Sequence, residues 1–180
     1  MKAALRHLVQ QRAEDRCEYC RLQQTHAPYS AFHVDHITPK KHGGSDDPST
    51  LAFACNRCNR YKGANLTGID PASGDIVPLF HPRKDSWDVH FEFRGAAIVG
   101  LTSEGRVTVR VLNMNDRERL QLRERLIALG QLDGILDSVA WILSRLQDWL
   151  PPRLSRRSPT VSFKVHLEPL VGCGRPGGDG

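Results

Sequence analysis

The sequence predicts an α+β fold: a small unit of short strands and a short helix pinned by four cysteines, then further strands and two C-terminal helices. Three observations predict it. Two Cys-x2-Cys pairs, Cys17/Cys20 and Cys55/Cys58, bracket a 34-residue insert. That insert carries the alternating run AFHVDHI and ends in the apolar run LAFAC. Near the C-terminus the apolar positions take helical spacing, with Leu132, Ile135, Leu136, Val139, Ile142, Leu143, Leu146 and Leu150 on one face.

Element by element, residues 3–15 read as a helix, with Leu5, Leu8, Val9 and Arg12 at helical spacing. The first cysteine pair follows, then a loop, QTHAPYS. AFHVDHI is a short strand, TPKKHGGSDDPST a long connection and LAFAC a second strand. NRCNRYKG is a helical turn or two stopped by Gly63. TGIDPASGDIVPLFHPRKDSW is turn-rich. VHFEFRG, AAIVGLT and RVTVRVL read as strands, the last two joined by a hairpin turn at SEG. NDRERLQLRERLIALG is a helix with Asp116 or Asn115 as N-cap and Gly130 as its stop. A second helix ends at Pro151-Pro152. The expected organisation is a helix over 1–16, a cysteine-bracketed core over 17–66, a strand-rich extension over 67–112, helices over 113–150 and a disordered basic, Gly/Pro-rich tail over 151–180.

Composition narrows the function classes. Of 180 residues, 39% are hydrophobic and no run of about 18 apolar residues occurs, so no transmembrane span is expected. The N-terminus becomes charged too soon for a secretory signal. A soluble, cytoplasmic protein without a membrane partner is the expectation. The formal charge is +5, of which +3 lies in residues 151–180, so the body is only mildly basic. Charge is compatible with a polyanionic partner without demanding one. Five cysteines, an odd number, argue against a secreted disulfide scaffold.

The two cysteine pairs predict a structural zinc site. Two residues between cysteines let one tight turn present both sulfurs to one ion, and Zn2+ takes four thiolates in a tetrahedron. Four cysteines leave no open position for water, so such an ion is structural. A redox Cys-x-x-Cys needs one motif in a βαβ context rather than two around a hairpin.

Together, CEYC, HVDHITPKKHGG and STLAFACNRCNRYKG resemble the HNH endonuclease family, the ββα-metal nucleases, in its zinc-stapled form. The resemblance covers residues 17–63. It implies a ββα-metal core and a metal-dependent endonuclease hydrolysing DNA phosphodiesters, with RNA an open alternative substrate and the oligomeric state either monomer or homodimer. By the same resemblance, Asp35 and Asn59 hold a catalytic Mg2+ or similar divalent ion, and His36 is the general base. The chemistry is consistent: free imidazole titrates near ~6.5, and one divalent ion stabilises the leaving oxygen as a Lewis acid. Periodicity points elsewhere, because in a regular strand His33 and Asp35 share a face and His36 opposes them. The family pattern requires the strand to end or twist at Asp35. His33, Lys40, Arg60 and Lys62 are candidate nucleic-acid contacts.

One position departs from the pattern. Thr50 stands where the family usually has an Asn that pins the catalytic loop. Thr supplies one such bond and not the full amide set, with Ser49 expected to share the work. The alternative is therefore a non-catalytic, zinc-stabilised nucleic-acid-binding module. Further on, His81, Arg83, Trp87, His90 and Arg94 form a polar-aromatic cluster, read either as a nucleic-acid contact or as structure. In the structural reading Trp87, Phe91 and Phe93 fill a core and Arg83 pairs with a carboxylate.

Overall fold

A computed structural model describes residues 3–132. The predicted second C-terminal helix and the basic tail lie outside the described residues. Helix α1, Ala3–Arg12, buries Val9 completely and packs Leu5 against the same core, while Leu8 stays 48% exposed. The helix ends at Arg12 rather than continuing to residue 15, because Glu14 and Asp15 enter the left-handed region at φ 52° and 56°. Its basic side chains tie it to the core backbone. Arg6 donates to the Phe32 carbonyl, and Arg12 to the carbonyls of Pro48 and Leu51.

Strands β1, His33–His36, and β2, Leu51–Ala54, pair antiparallel, from His33 opposite Ala54 to His36 opposite Leu51. All four residues of β2 are buried, and Phe53 packs on Phe32 with ring centroids 5.4 Å apart. An apolar run with no alternation is what a strand covered on both faces needs. The loop between the strands folds back tightly. Gly43 takes φ +84°, and a Cβ on Gly44 would lie 1.7 Å from the Thr38 carbonyl oxygen. Helix α2, Asn56–Lys62, begins at Cys55, whose sulfur accepts the Cys58 N–H, and stops at Gly63 with φ +48°. These elements form the expected ββα core.

The extension differs from expectation in three places, a further hairpin and two helices. Strands β3, Thr67–Ile69, and β4, Ile76–Pro78, form a hairpin in the segment read only as turns. Short helix α3, Trp87–His90, leads into the hairpin of β5, Phe91–Arg94, and β6, Ala97–Gly100. The expected strand RVTVRVL is instead helix α4, Ser103–Val111, and SEG is its first turn rather than a hairpin. Thr102 caps it by accepting the Gly105 N–H at 3.1 Å, and Glu104 sits in the first turn, where an acid favours the helix N-terminus. Packing selects helix as well. A Cβ on Gly100 would lie 2.2 Å from the Arg106 nitrogen, and one on Gly105 would lie 2.1 Å from the His90 carbonyl oxygen. The helix therefore rests directly on the hairpin backbone.

Helix α5, Arg117–Ala128, is capped by Asp116, which accepts the Arg119 N–H at 3.0 Å, and Gly130 follows it at φ +65°. Its buried residues are Leu126 and two arginines, Arg119 and Arg123. Trp87, Phe80 and Phe91 form an aromatic cluster with Phe93 against it, as the structural reading expects.

Candidate metal centre and active site

Cys17, Cys20, Cys55 and Cys58 converge. All four are buried, and their sulfurs lie within 4.8 Å of one another. Four Zn–S bonds of about 2.3 Å in a tetrahedron place sulfurs about 3.8 Å apart. The Cys20 and Cys55 sulfurs are 3.8 Å apart. Local backbone brings this about. Cys17 donates to the Leu22 carbonyl and Arg21 to the Cys17 carbonyl, with Arg21 at φ 61°, which closes the first turn around both sulfurs. Burial pushes the Cys17 thiol well above its ordinary range, so binding a cation there must release protons.

Residues that the sequence reading did not single out also reach this centre. Arg119 from α5 is only 8% exposed and donates to the Cys55 sulfur at 2.9 Å. Burial opposes its charge, but the surrounding sulfurs outweigh that and raise its pKa. In the first turn, Trp87 donates its indole N–H to the Tyr19 carbonyl at 2.9 Å, and Glu18 pairs with Arg83 while accepting the Phe53 N–H. Arg83 thus pairs with a carboxylate, as the structural reading expects. In sequence Arg119 lies three residues after the Asp116 cap. Nothing local marks its partner.

Beside the zinc centre lie the residues expected to be catalytic, on opposite sides of β1. The strand keeps its pairing register through His36, its last residue. Asp35 accordingly points inward and is 6% exposed. Its Oδ2 accepts from the Tyr19 hydroxyl at 2.7 Å and lies 3.0 Å from Lys62 Nζ, which also lies 3.2 Å from Oδ1. Lys62 donates onward to the His36 carbonyl at 2.9 Å. Burial raises the Asp35 carboxyl above its ordinary range, partly offset by Lys62, Tyr19 and His36. Burial and the charge of Asp35 likewise keep Tyr19 protonated and a donor.

The Lys62 side chain is 2% exposed and is paired with Asp35. Of the two Asp35 oxygens, Oδ2 meets both Tyr19 and Lys62, whereas Oδ1 meets Lys62 alone.

His36 faces the other way, with its side chain 19% exposed. Its Nε2 lies 2.7 Å from Asp46 Oδ1, and Lys40 Nζ lies 2.8 Å from the same oxygen. These two contacts, Lys40 first, hold the Asp46 carboxyl down to about 2. The Asp46 loop is pinned by Thr50, whose hydroxyl lies 3.1 Å from the Ser45 carbonyl, 2.8 Å from the Asp47 carbonyl and 3.2 Å from the Ser45 hydroxyl. Ser45 extends the network by accepting the Asp47 N–H, whereas Ser49 is taken up by the Asp47 carboxylate. Thr50 with Ser45, rather than Thr50 with Ser49, does the pinning.

The remaining candidates are dispersed. His33 is half-buried, with its Nε2 3.4 Å from the Asn56 amide. Arg60 is exposed and lies over the Tyr61 ring. Asn59, directly after Cys58, is half-buried and makes no side-chain hydrogen bond among the described residues. A cleft of about 370 Å3 opens beside the end of β1, lined in part by Thr38, Asn65, His81, Lys84 and His90. No helix among the described residues is long and apolar enough to cross a membrane.

No curated protein and no solved structure matches the chain. The family comparison does find a match, and it falls on the segment holding both the four sulfurs and the His36 face. Residues 17–65 match the model of the HNH endonuclease family, and the four-cysteine group that could hold a zinc ion falls within that segment.

Proposed function

We propose that this module is the catalytic centre of an endonuclease that hydrolyses DNA phosphodiester bonds, with His36 as general base. One observation carries the reading: a partly exposed histidine held at 2.7 Å by an ionised carboxylate, Asp46, in a segment of the HNH family. An ionised carboxylate only accepts, so the Nε2 facing Asp46 bears the proton and Nδ1 carries the free lone pair. Nδ1 is the atom that takes a proton from water. Asp46 positions the ring and favours the imidazolium formed after proton transfer, while Thr50 and Ser45 hold the Asp46 loop. The cleft beyond the end of β1, with Lys84 and His81 in its lining, offers a nucleic-acid strand polar partners. Family resemblance assigns a catalytic divalent ion to Asp35 and Asn59. Asp35 and Asn59 would hold that ion through a carboxylate and an amide oxygen, and it would supply Lewis-acid stabilisation of the leaving oxygen, while His36 and Asp46 handle the proton.

A second reading has its own observation in its favour. The buried Asp35–Lys62 pair fills the position of a ligand carboxylate with an internal cation, which is what a zinc-stabilised binding module without hydrolytic activity would show. Supercoiled DNA incubated across Mg2+, Mn2+, Ni2+ and Zn2+ separates the two, with an RNA arm for the substrate. The nuclease reading expects nicked or linear product that requires an added divalent ion and falls about 10²–10⁴-fold in His36→Ala. A gel shift with no cut under any ion supports the binding module.

A further inference from the structure

We propose that the extension after residue 66 is part of the metal centre, with Arg119 the outer counter-cation of the four-thiolate site, so that zinc retention and the docking of α5 are coupled. Zn2+ with four thiolates carries a formal charge of −2. A buried site with that charge needs compensation. Arg119, a residue only 8% exposed, supplies it directly through a guanidinium nitrogen 2.9 Å from the Cys55 sulfur. The neighbouring buried Arg123 is committed elsewhere, to the carbonyls of Ala96 and Met114 and the side chain of Asn115.

The same helix is fastened beside the second cysteine pair. Arg57, between Cys55 and Cys58, pairs with Asp116 and Glu118 at the start of α5. The first pair is held from the extension too, by Trp87 on the Tyr19 carbonyl and Arg83 on Glu18. Both halves of the zinc site are thus gripped by residues 83–119. A ligand that binds only the docked arrangement stabilises that arrangement, and the docked arrangement reciprocally holds the ligand. Outer partners of this kind typically change metal affinity 10–100-fold.

The test uses the full chain loaded with Zn2+ and titrated with a competing chelator. Arg119→Met is expected to release zinc at about 10–100-fold lower chelator concentration than the wild type. Arg119→Lys, which keeps the charge, is expected to lie between them. The Co2+-substituted protein gives a readout that general destabilisation does not move. Losing the hydrogen bond to Cys55 makes that thiolate a stronger donor, so its charge-transfer band shifts to lower energy in Arg119→Met. Arg57→Ala loosens α5 without touching a sulfur and guards against misfolding of the Arg119 variant. It is expected to weaken zinc retention and leave the band in place. Wild-type retention in both Arg119 variants overturns the proposal. So does weakened retention with an unmoved band in Arg119→Met, which reduces the contact to ordinary packing.

Discussion

Lys62→Met probes the buried side of β1. The lysine side chain is 2% exposed and donates to both oxygens of Asp35 and to the His36 carbonyl. Methionine fills much of the same space, so little of the effect is a cavity. What remains is a buried carboxylate with the Tyr19 hydroxyl as its surviving donor. Removing one partner of a buried pair typically costs about 3–5 kcal/mol. The pH dependence follows from the direction of the Asp35 shift. Its carboxyl already lies above the ordinary range because of burial, and Lys62 is the largest influence pulling it back. Without Lys62 it rises further, at about 1.36 kcal/mol for each additional unit. A carboxyl raised in the fold is favoured when protonated. The destabilisation is therefore absent below the unfolded value of ~3.9, grows with pH and is complete above the folded value. Urea unfolding of the zinc-loaded protein is expected to show Lys62→Met falling further behind the wild type as pH rises above the unfolded value of ~3.9. Adding Asp35→Asn should recover most of the loss, because asparagine still accepts from Tyr19 and carries no charge. A cost under about 1 kcal/mol that does not change with pH would refute the buried pair.

Other outcomes follow from the opposite face. Asp46→Asn leaves a ring partner but removes the preference for the tautomer with a free Nδ1, so single-turnover cleavage should drop about 10–100-fold with DNA affinity unchanged. Thr50→Val deletes a hydroxyl that reaches two loop carbonyls, a loss of about 1 kcal/mol that should slow cleavage several-fold. Thr50→Asn should stay within about threefold of wild type, since Ser45 and Thr50 already pin the loop. The Asp46 contact has the opposite pH sign to Asp35. Its carboxyl is depressed to about 2, so its contribution to loop order is present above the unfolded value and disappears as pH falls towards 2, readable in the NMR shifts of His36. Gly100→Ala should destabilise by at least ~1–3 kcal/mol, because the new methyl meets helix backbone that cannot swing aside.

How far the fold was legible follows from which signals were local. The four sulfurs, β1, β2 and α2 could be read because spacing and periodicity lie within short stretches, and the Asp116 cap likewise marked α5. Helix α4 was misread because Val107 and Val111 satisfy period 2 and the i, i+4 helical relation alike. The discriminating signal was the cap Thr102, read as the end of a strand, followed by Ser103-Glu104-Gly105, read as a hairpin turn. The inward turn of Asp35 was foreshadowed by strand periodicity, which set it opposite His36, but its partner Lys62 stands 27 residues away. Asp46 was passed over as one acid in a Ser/Asp-rich loop. Only the fold of the Gly43-Gly44 turn carries it to His36. Arg119 could not be told from a surface arginine, because its partner is a sulfur 64 residues earlier.

The role of His36 is tested most directly by single-turnover cleavage of a DNA substrate with His36→Ala, its zinc content matched to wild type, with and without added imidazole. The account predicts a rate lower by about 10²–10⁴-fold that free imidazole partly restores, because the missing group is a proton acceptor. Cleavage by His36→Ala at the wild-type rate would contradict it.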